Sequence, residues 1–115
     1  MSNVSYLELK TVTDAVYAEA KEKWAKDVVG ILQKYNIKLR QKDGQLYSVN
    51  ISIPSSKNNC ILVGLRYLKK DKTYTEDHFL FEENKPIVAF YKGKLEKVIE
   101  EYKGTHKQQI VLKVL

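Results

Sequence analysis

From about Thr13 to Tyr35 the apolar residues Val16, Ala20, Trp24, Val28, Leu32 and Tyr35 recur every three or four positions, while Glu19, Lys23, Lys26, Asp27 and Lys34 occupy the other faces. The spacing predicts one long amphipathic helix over residues 11–36. Thr13 followed by Asp14 supplies an N-cap and a favourable charge in the first turn. Gly30 weakens the last two turns by about 1 kcal/mol relative to alanine, so the helix is expected to end or bend there. The preceding Val4-Ser5-Tyr6-Leu7-Glu8-Leu9 is short and partly alternating, a pattern that suits a strand or ordered arm over residues 1–10.

Beyond Asn36 the period changes to two. Ile37 to Lys42, the pair Asp43-Gly44 and Gln45 to Ile53 read as a β-hairpin, because Asp-Gly accepts the positive φ of a tight turn. The alternation predicts Tyr47, Val49, Ile51 and Ile53 on an apolar side, with Ser48, Asn50 and Ser52 on a wetter one. Pro54 to Asn59 is a loop, Cys60 to Lys70 a strand, Lys69 to Lys72 a basic turn and Thr73 to Glu82 another strand. In the segment 84–103, Val88, Tyr91, Leu95, Val98, Ile99 and Tyr102 follow helical spacing, with Asn84 as cap, Pro86 in the first turn and Gly104 as stop. Residues 104–115 alternate weakly, as a tail or a strand. The fold class that emerges is α+β, an antiparallel meander over 37–82 packed on a long N-terminal helix and a C-terminal helix, in one domain over 1–115.

Charge adds a location. The chain of 115 residues carries a formal net charge of +6, and the excess is concentrated: residues 37–75 hold eight Lys or Arg against two acids. A basic patch implies a polyanionic partner more strongly than evenly spread lysines do, although lysines also protect exposed strand edges. With 43% hydrophobic and 30% charged residues the composition is that of a folding globular chain. No apolar run reaches the roughly 18–20 residues that cross a bilayer, and Met1-Ser2-Asn3-Val4 opens no basic and apolar leader, so a cytoplasmic protein with no membrane association is expected.

Candidate chemistry is sparse. Two histidines, His78 and His106, and the single Cys60 fall short of a zinc ligand set, and Cys60 reads as a core thiol. No glycine-rich phosphate loop, nucleophile elbow or His-Glu-x-x-His occurs. The carboxylates do not follow the strand-Asp, Glu-x-Lys order of restriction-type nucleases, since Glu76 is followed by Asp77-His78; only a Glu76–His78 acid–base pair would remain for a ribonuclease. The expectation is a protein that binds without catalysing, with no cofactor, no metal and no small-molecule substrate.

A cationic groove following phosphates, with aromatic faces for bases, is what holds single strands regardless of sequence. Lys38, Arg40 and Lys42 share a face of the first hairpin strand. Ser48, Asn50, Gly64 and Arg66 lie off the apolar phase of theirs, Lys69, Lys70 and Lys72 crowd the basic turn, and Tyr74 and His78 share a face opposite Phe79 and Phe81. Together these residues form the candidate nucleic-acid surface, and Tyr67 falls in phase with the core. The stretches Leu46 to Ile51, Ile61 to Tyr67, Lys69-Lys70-Asp71-Lys72 and Leu95 to Ile99 give an element order that resembles the Whirly-like or positive-cofactor-four-like single-stranded DNA-binding family. With the preceding helix the chain is also similar to ThermoDBP-like archaeal single-strand binders and their viral relatives. The resemblance covers half to four fifths of the chain, rests on element order rather than a diagnostic motif, and implies a homodimer that binds single-stranded DNA or RNA. The alternative from another class is an interaction or inhibitor protein of a mobile element, docking its basic sheet on an acidic partner.

Overall fold

The computed structural model describes residues 4–19, 21–35, 37, 44–55, 60–85, 87–102 and 105–114. Two helices, α1 (Val4–Ala18) and α2 (Trp24–Lys34), precede strands β1 (Gln45–Ser55), β2 (Cys60–Leu68), β3 (Tyr74–Glu82) and β4 (Ala89–Lys92), then helix α3 (Leu95–Tyr102) and strand β5 (Thr105–Lys113). The architecture is α+β. The five strands form one antiparallel sheet in the order β4-β3-β2-β1-β5, so that β1 to β4 run as a meander and β5 returns to the free side of β1.

The N-terminal segment is helical from Val4, not a strand or arm. Tyr6, Leu9, Thr13 and Val16 are buried at intervals of three and four, a helical period that the six-residue window of Val4 to Leu9 is too short to display. Nor is the helix continuous to residue 36. The buried stripe of α2 is Ala25, Val28 and Leu32, and Ala25 follows Val16 by nine residues. At about 100° per residue that places the two stripes about 180° apart on an unbroken helix. A break between Ala18 and Trp24 lets both stripes face the sheet. Gly30 does not end α2, which runs through it to Lys34. The helices are tied side by side where Glu8 accepts from Lys34 Nζ at 2.6 Å and Tyr35 Oη at 2.7 Å; these bonds hold the Glu8 carboxyl below its ordinary pKa. Tyr17 Oη donates to Ile51 O, docking α1 on β1.

One face of the sheet carries the main core: Val49, Ile51, Ile61, Val63, Leu65, Tyr67, Phe79, Phe81 and Leu112 pack beneath Leu9, Val16, Val28 and Leu32. The other face is covered over part of its length. Val98 of α3 is buried against Cys60, Leu62 and Leu80, with Leu95, Ala89 and Tyr91 beside it. The segment expected as one helix from 84 to 103 is thus a strand and a shorter helix joined at Gly93. That glycine has φ 119°, in the left-handed region, so it turns the chain where a helix interior would have required negative φ. The stripe Val88, Tyr91, Leu95, Val98 is consumed within the molecule.

Candidate functional site

The face that α3 shares is open at the opposite end, around Leu68 and Tyr74. Register rows define what lies there. Lys113, Ser48, Arg66 and Glu76 form one row across β5, β1, β2 and β3, and Val111, Asn50, Gly64, His78 and Tyr91 form the next, reaching β4. Arg66 donates through Nε at 3.2 Å and Nη2 at 3.1 Å to Glu76 Oε2. Its guanidinium carbon lies 5.1 Å from the ring centroid of Tyr74, which is 40% exposed. Tyr47 meets the same ring edge-on, with centroids 5.5 Å apart. Two aromatic rings and a guanidinium therefore make one contact group at the open end.

Tyr47 reaches this face because β1 is irregular between Leu46 and Ser48. Leu46 pairs with Tyr67 and Ser48 with Arg66, so one extra residue sits opposite consecutive positions of β2. Such a bulge breaks the alternation that would have sent Tyr47 to the core with Val49 and Ile51. The sequence carries no signal for it beyond the tyrosine itself.

Next to this group the β2–β3 turn is internally braced. Lys69 N donates to Thr73 O, Lys72 N to Lys69 O, and Asp71 Oδ1 accepts from both Thr73 N (3.0 Å) and Thr73 Oγ1 (2.6 Å). Those bonds hold the Asp71 carboxyl below the usual range. Lys72 takes φ 68°, which a lysine adopts only where a turn demands it. Lys69, Lys70 and Lys72 all project from the turn as exposed side chains. Arg66, beside them, is bound to Glu76, which is buried.

Deeper on the same face the expected wet positions are closed. Ser48 and His78 are each 1% exposed and Asn50 is 5% exposed, so none of the three can touch a phosphate or a base; they leave the candidate surface. Ser48, Asn50 and His78 lie on the side that alternation predicts, yet they are buried there, His78 beneath the Gly93 carbonyl. Gly64 is the reason the ring of His78 fits. A Cβ at that position would stand 2.7 Å from Nε2 and 2.9 Å from Cδ2 of His78. Nδ1 lies 2.9 Å from Gly93 O, and since a carbonyl only accepts, Nδ1 carries the proton and Nε2 is bare in the neutral ring. Nε2 is 3.8 Å from Glu76 Oε1. Burial is the dominant influence on His78 and pushes its pKa below the ordinary value, outweighing the carboxylates of Glu76, Asp77 and Glu96. Lys38, Arg40 and Lys42 lie outside the described residues.

A second concavity, of about 470 Å³, lies on the helical face between α2 and the sheet, lined by Ala25, Lys26, Val29, Leu46 and Val114 among others. The sheet separates it from Tyr47 and Tyr74. No helix of the described residues is long and apolar enough to cross a membrane. No known protein family, curated protein or solved structure matches the chain.

Proposed function

We propose that the protein binds single-stranded nucleic acid, DNA or RNA, without catalysis, at the open end of the sheet face that α3 leaves uncovered. The observation that carries this reading is the grouping of Tyr47, Tyr74 and Arg66 beside a braced turn bearing Lys69, Lys70 and Lys72. Exposed rings stack on bases of any identity, and cations held at fixed spacing beside them meet the phosphates between those bases. The contact surface is smaller than the residue pattern implied: Ser48, Asn50 and His78 are buried and drop out of it, and Tyr47 joins it.

Fluorescence anisotropy with labelled oligo-dT, the matching RNA and a duplex tests the reading. The expected result is binding of the single strands with log K falling linearly with log salt. Three or four phosphate contacts at about 0.7 each give a slope of about −2 to −3. Replacing Lys69, Lys70 and Lys72 together by Ala should flatten that slope while leaving the melting temperature nearly unchanged, since all three side chains are exposed. An absence of oligonucleotide binding at low salt, or a slope untouched by the triple substitution, overturns it.

A further inference from the structure

Among the described residues β5 has a strand neighbour on one side only, β1. The direction of its backbone groups follows from one hydrogen bond and the register. Val114 N donates to Tyr47 O at 2.8 Å, and the pairing continues as Lys113 with Ser48, Leu112 with Val49, Val111 with Asn50 and Ile110 with Ile51. Backbone groups in an antiparallel pair point alternately toward and away from the partner strand. Those of Val114, Leu112 and Ile110 therefore point at β1, and those of Lys113 and Val111 point outward. The Val111 side chain is also turned out, 51% exposed, while Leu112 is buried.

We propose that β5 pairs antiparallel with β5 of a second copy of this chain, about a two-fold axis at Val111, joining the two sheets edge to edge. The strand's own backbone selects this occupant. A residue with both its N–H and its C=O directed outward is complementary to itself when the strands run in opposite directions. Val111 N–H donates to the carbonyl of the partner's Val111, and the Val111 carbonyl accepts from the partner's N–H, with Cα atoms about 5.5 Å apart. Charge and regularity then select the register. Centred on Val111, Lys113 stands opposite the partner's Gln109, and Ile110 opposite the partner's Leu112. Moving the centre to Ile110 would set Lys113 against Lys107 of the partner, a like-charge pair made twice, which is destabilising across strands. Lys107 also falls where the pairing with β1 shifts, between Gln108 opposite Ile53 and His106 opposite Pro54, whereas Gln108 to Lys113 is regular. A proline or a central charge ordinarily keeps an edge strand from pairing, and residues 108–112 have neither.

Sedimentation equilibrium of the full chain tests this, together with two edge variants. Val111→Pro removes an N–H that points away from β1, the one setting in which a strand tolerates proline. Its expected effect is to raise the dimer dissociation constant about 10- to 100-fold, the loss of one hydrogen bond from each copy, with the melting transition retained. Val111→Cys should form a symmetric disulfide on mild oxidation. Lys113→Cys should not, because the two 113 positions lie about 13 Å apart in this register, beyond the roughly 7 Å that a disulfide spans. Cys60 is buried and does not compete. A wild-type chain that stays monomeric at high micromolar concentration overturns the proposal, as does a dimer that cross-links through residue 113 and not 111. Should Val111→Pro fail to fold, Val111→Lys puts two like charges on the axis of an exposed position, and an undiminished dimer in that variant overturns the proposal equally.

Discussion

Tyr67 and Tyr74 lie seven residues apart on adjacent strands and do opposite work. Tyr67 is 1% exposed in the main core; Tyr74 stands at the open end under Arg66. Tyr67→Ala is expected to destabilise the fold by about 3–5 kcal/mol, as deletion of a buried ring does. Tyr74→Ala should leave the melt nearly unchanged and cost about 1–3 kcal/mol of single-strand affinity. Parallel thermal melts and oligonucleotide titrations of the two variants check both, and an early-melting Tyr74→Ala that binds normally contradicts the assignment. His78 gives a pH dependence whose sign is fixed by burial. Its folded pKa lies below the ordinary 6.5 of the unfolded chain, so below that pH the unfolded state binds more protons. The stability contributed by neutral His78 is therefore full above about pH 6.5 and is lost as pH falls toward the depressed folded value. His78→Asn keeps a donor near the Nδ1 position but does not titrate. The expected outcome is a lower melting temperature at neutral pH and a flatter decline between about pH 6.5 and 5, read by circular dichroism. At this scale the faces of Tyr74, His78, Phe79 and Phe81 were legible from the residues alone, because alternation reports the side of a strand. It could not report depth, since the carbonyl that meets the His78 ring belongs to Gly93, in a turn beyond the strand.

Elements were legible in proportion to their punctuation. Strands β2 and β3 stand between Pro54 to Asn59, the Lys69 to Thr73 turn and Asn84, and they pair residue for residue without a register shift. The helices were harder, because stripe spacing alone does not reveal a change of phase. Val16, Ala20 and Trp24 look like the continuation of one face, yet the buried set changes to Ala25, Val28 and Leu32. In the 84–103 segment the informative residue was Gly93, which signals a left-handed turn between β4 and α3 more strongly than the apolar spacing signals a helix. Gly30 is the opposite case, a glycine with no conformational duty. It sits inside α2 without positive φ, and a Cβ there would meet nothing within 4 Å. Gly30→Ala should accordingly stabilise the protein by about 1 kcal/mol, measured as a shift of the denaturation midpoint at constant m-value. A loss of stability would mean that the face of α2 around residue 30 is covered by another part of the chain.

At the scale of the whole molecule the sheet order was only partly readable: consecutive strands suggested the meander, but nothing in the tail's weak alternation announced that it would return to β1. That return has a temporal side. Ser55 and Thr105 are partners 50 residues apart, and Ser48 and Lys113 are partners 65 residues apart. At roughly 5–20 residues per second, a ribosome delivers β5 about 3 to 13 s after the stretch of β1 it will cover. Throughout that interval β1, an interior strand of the finished sheet, is an outer one, with the backbone groups that will meet Ile110 and Leu112 open to any extended chain nearby. The emerging polypeptide thus passes through a stage in which its most apolar strands are complete and their border is unguarded, and the last described strand to be synthesised is the one that closes it.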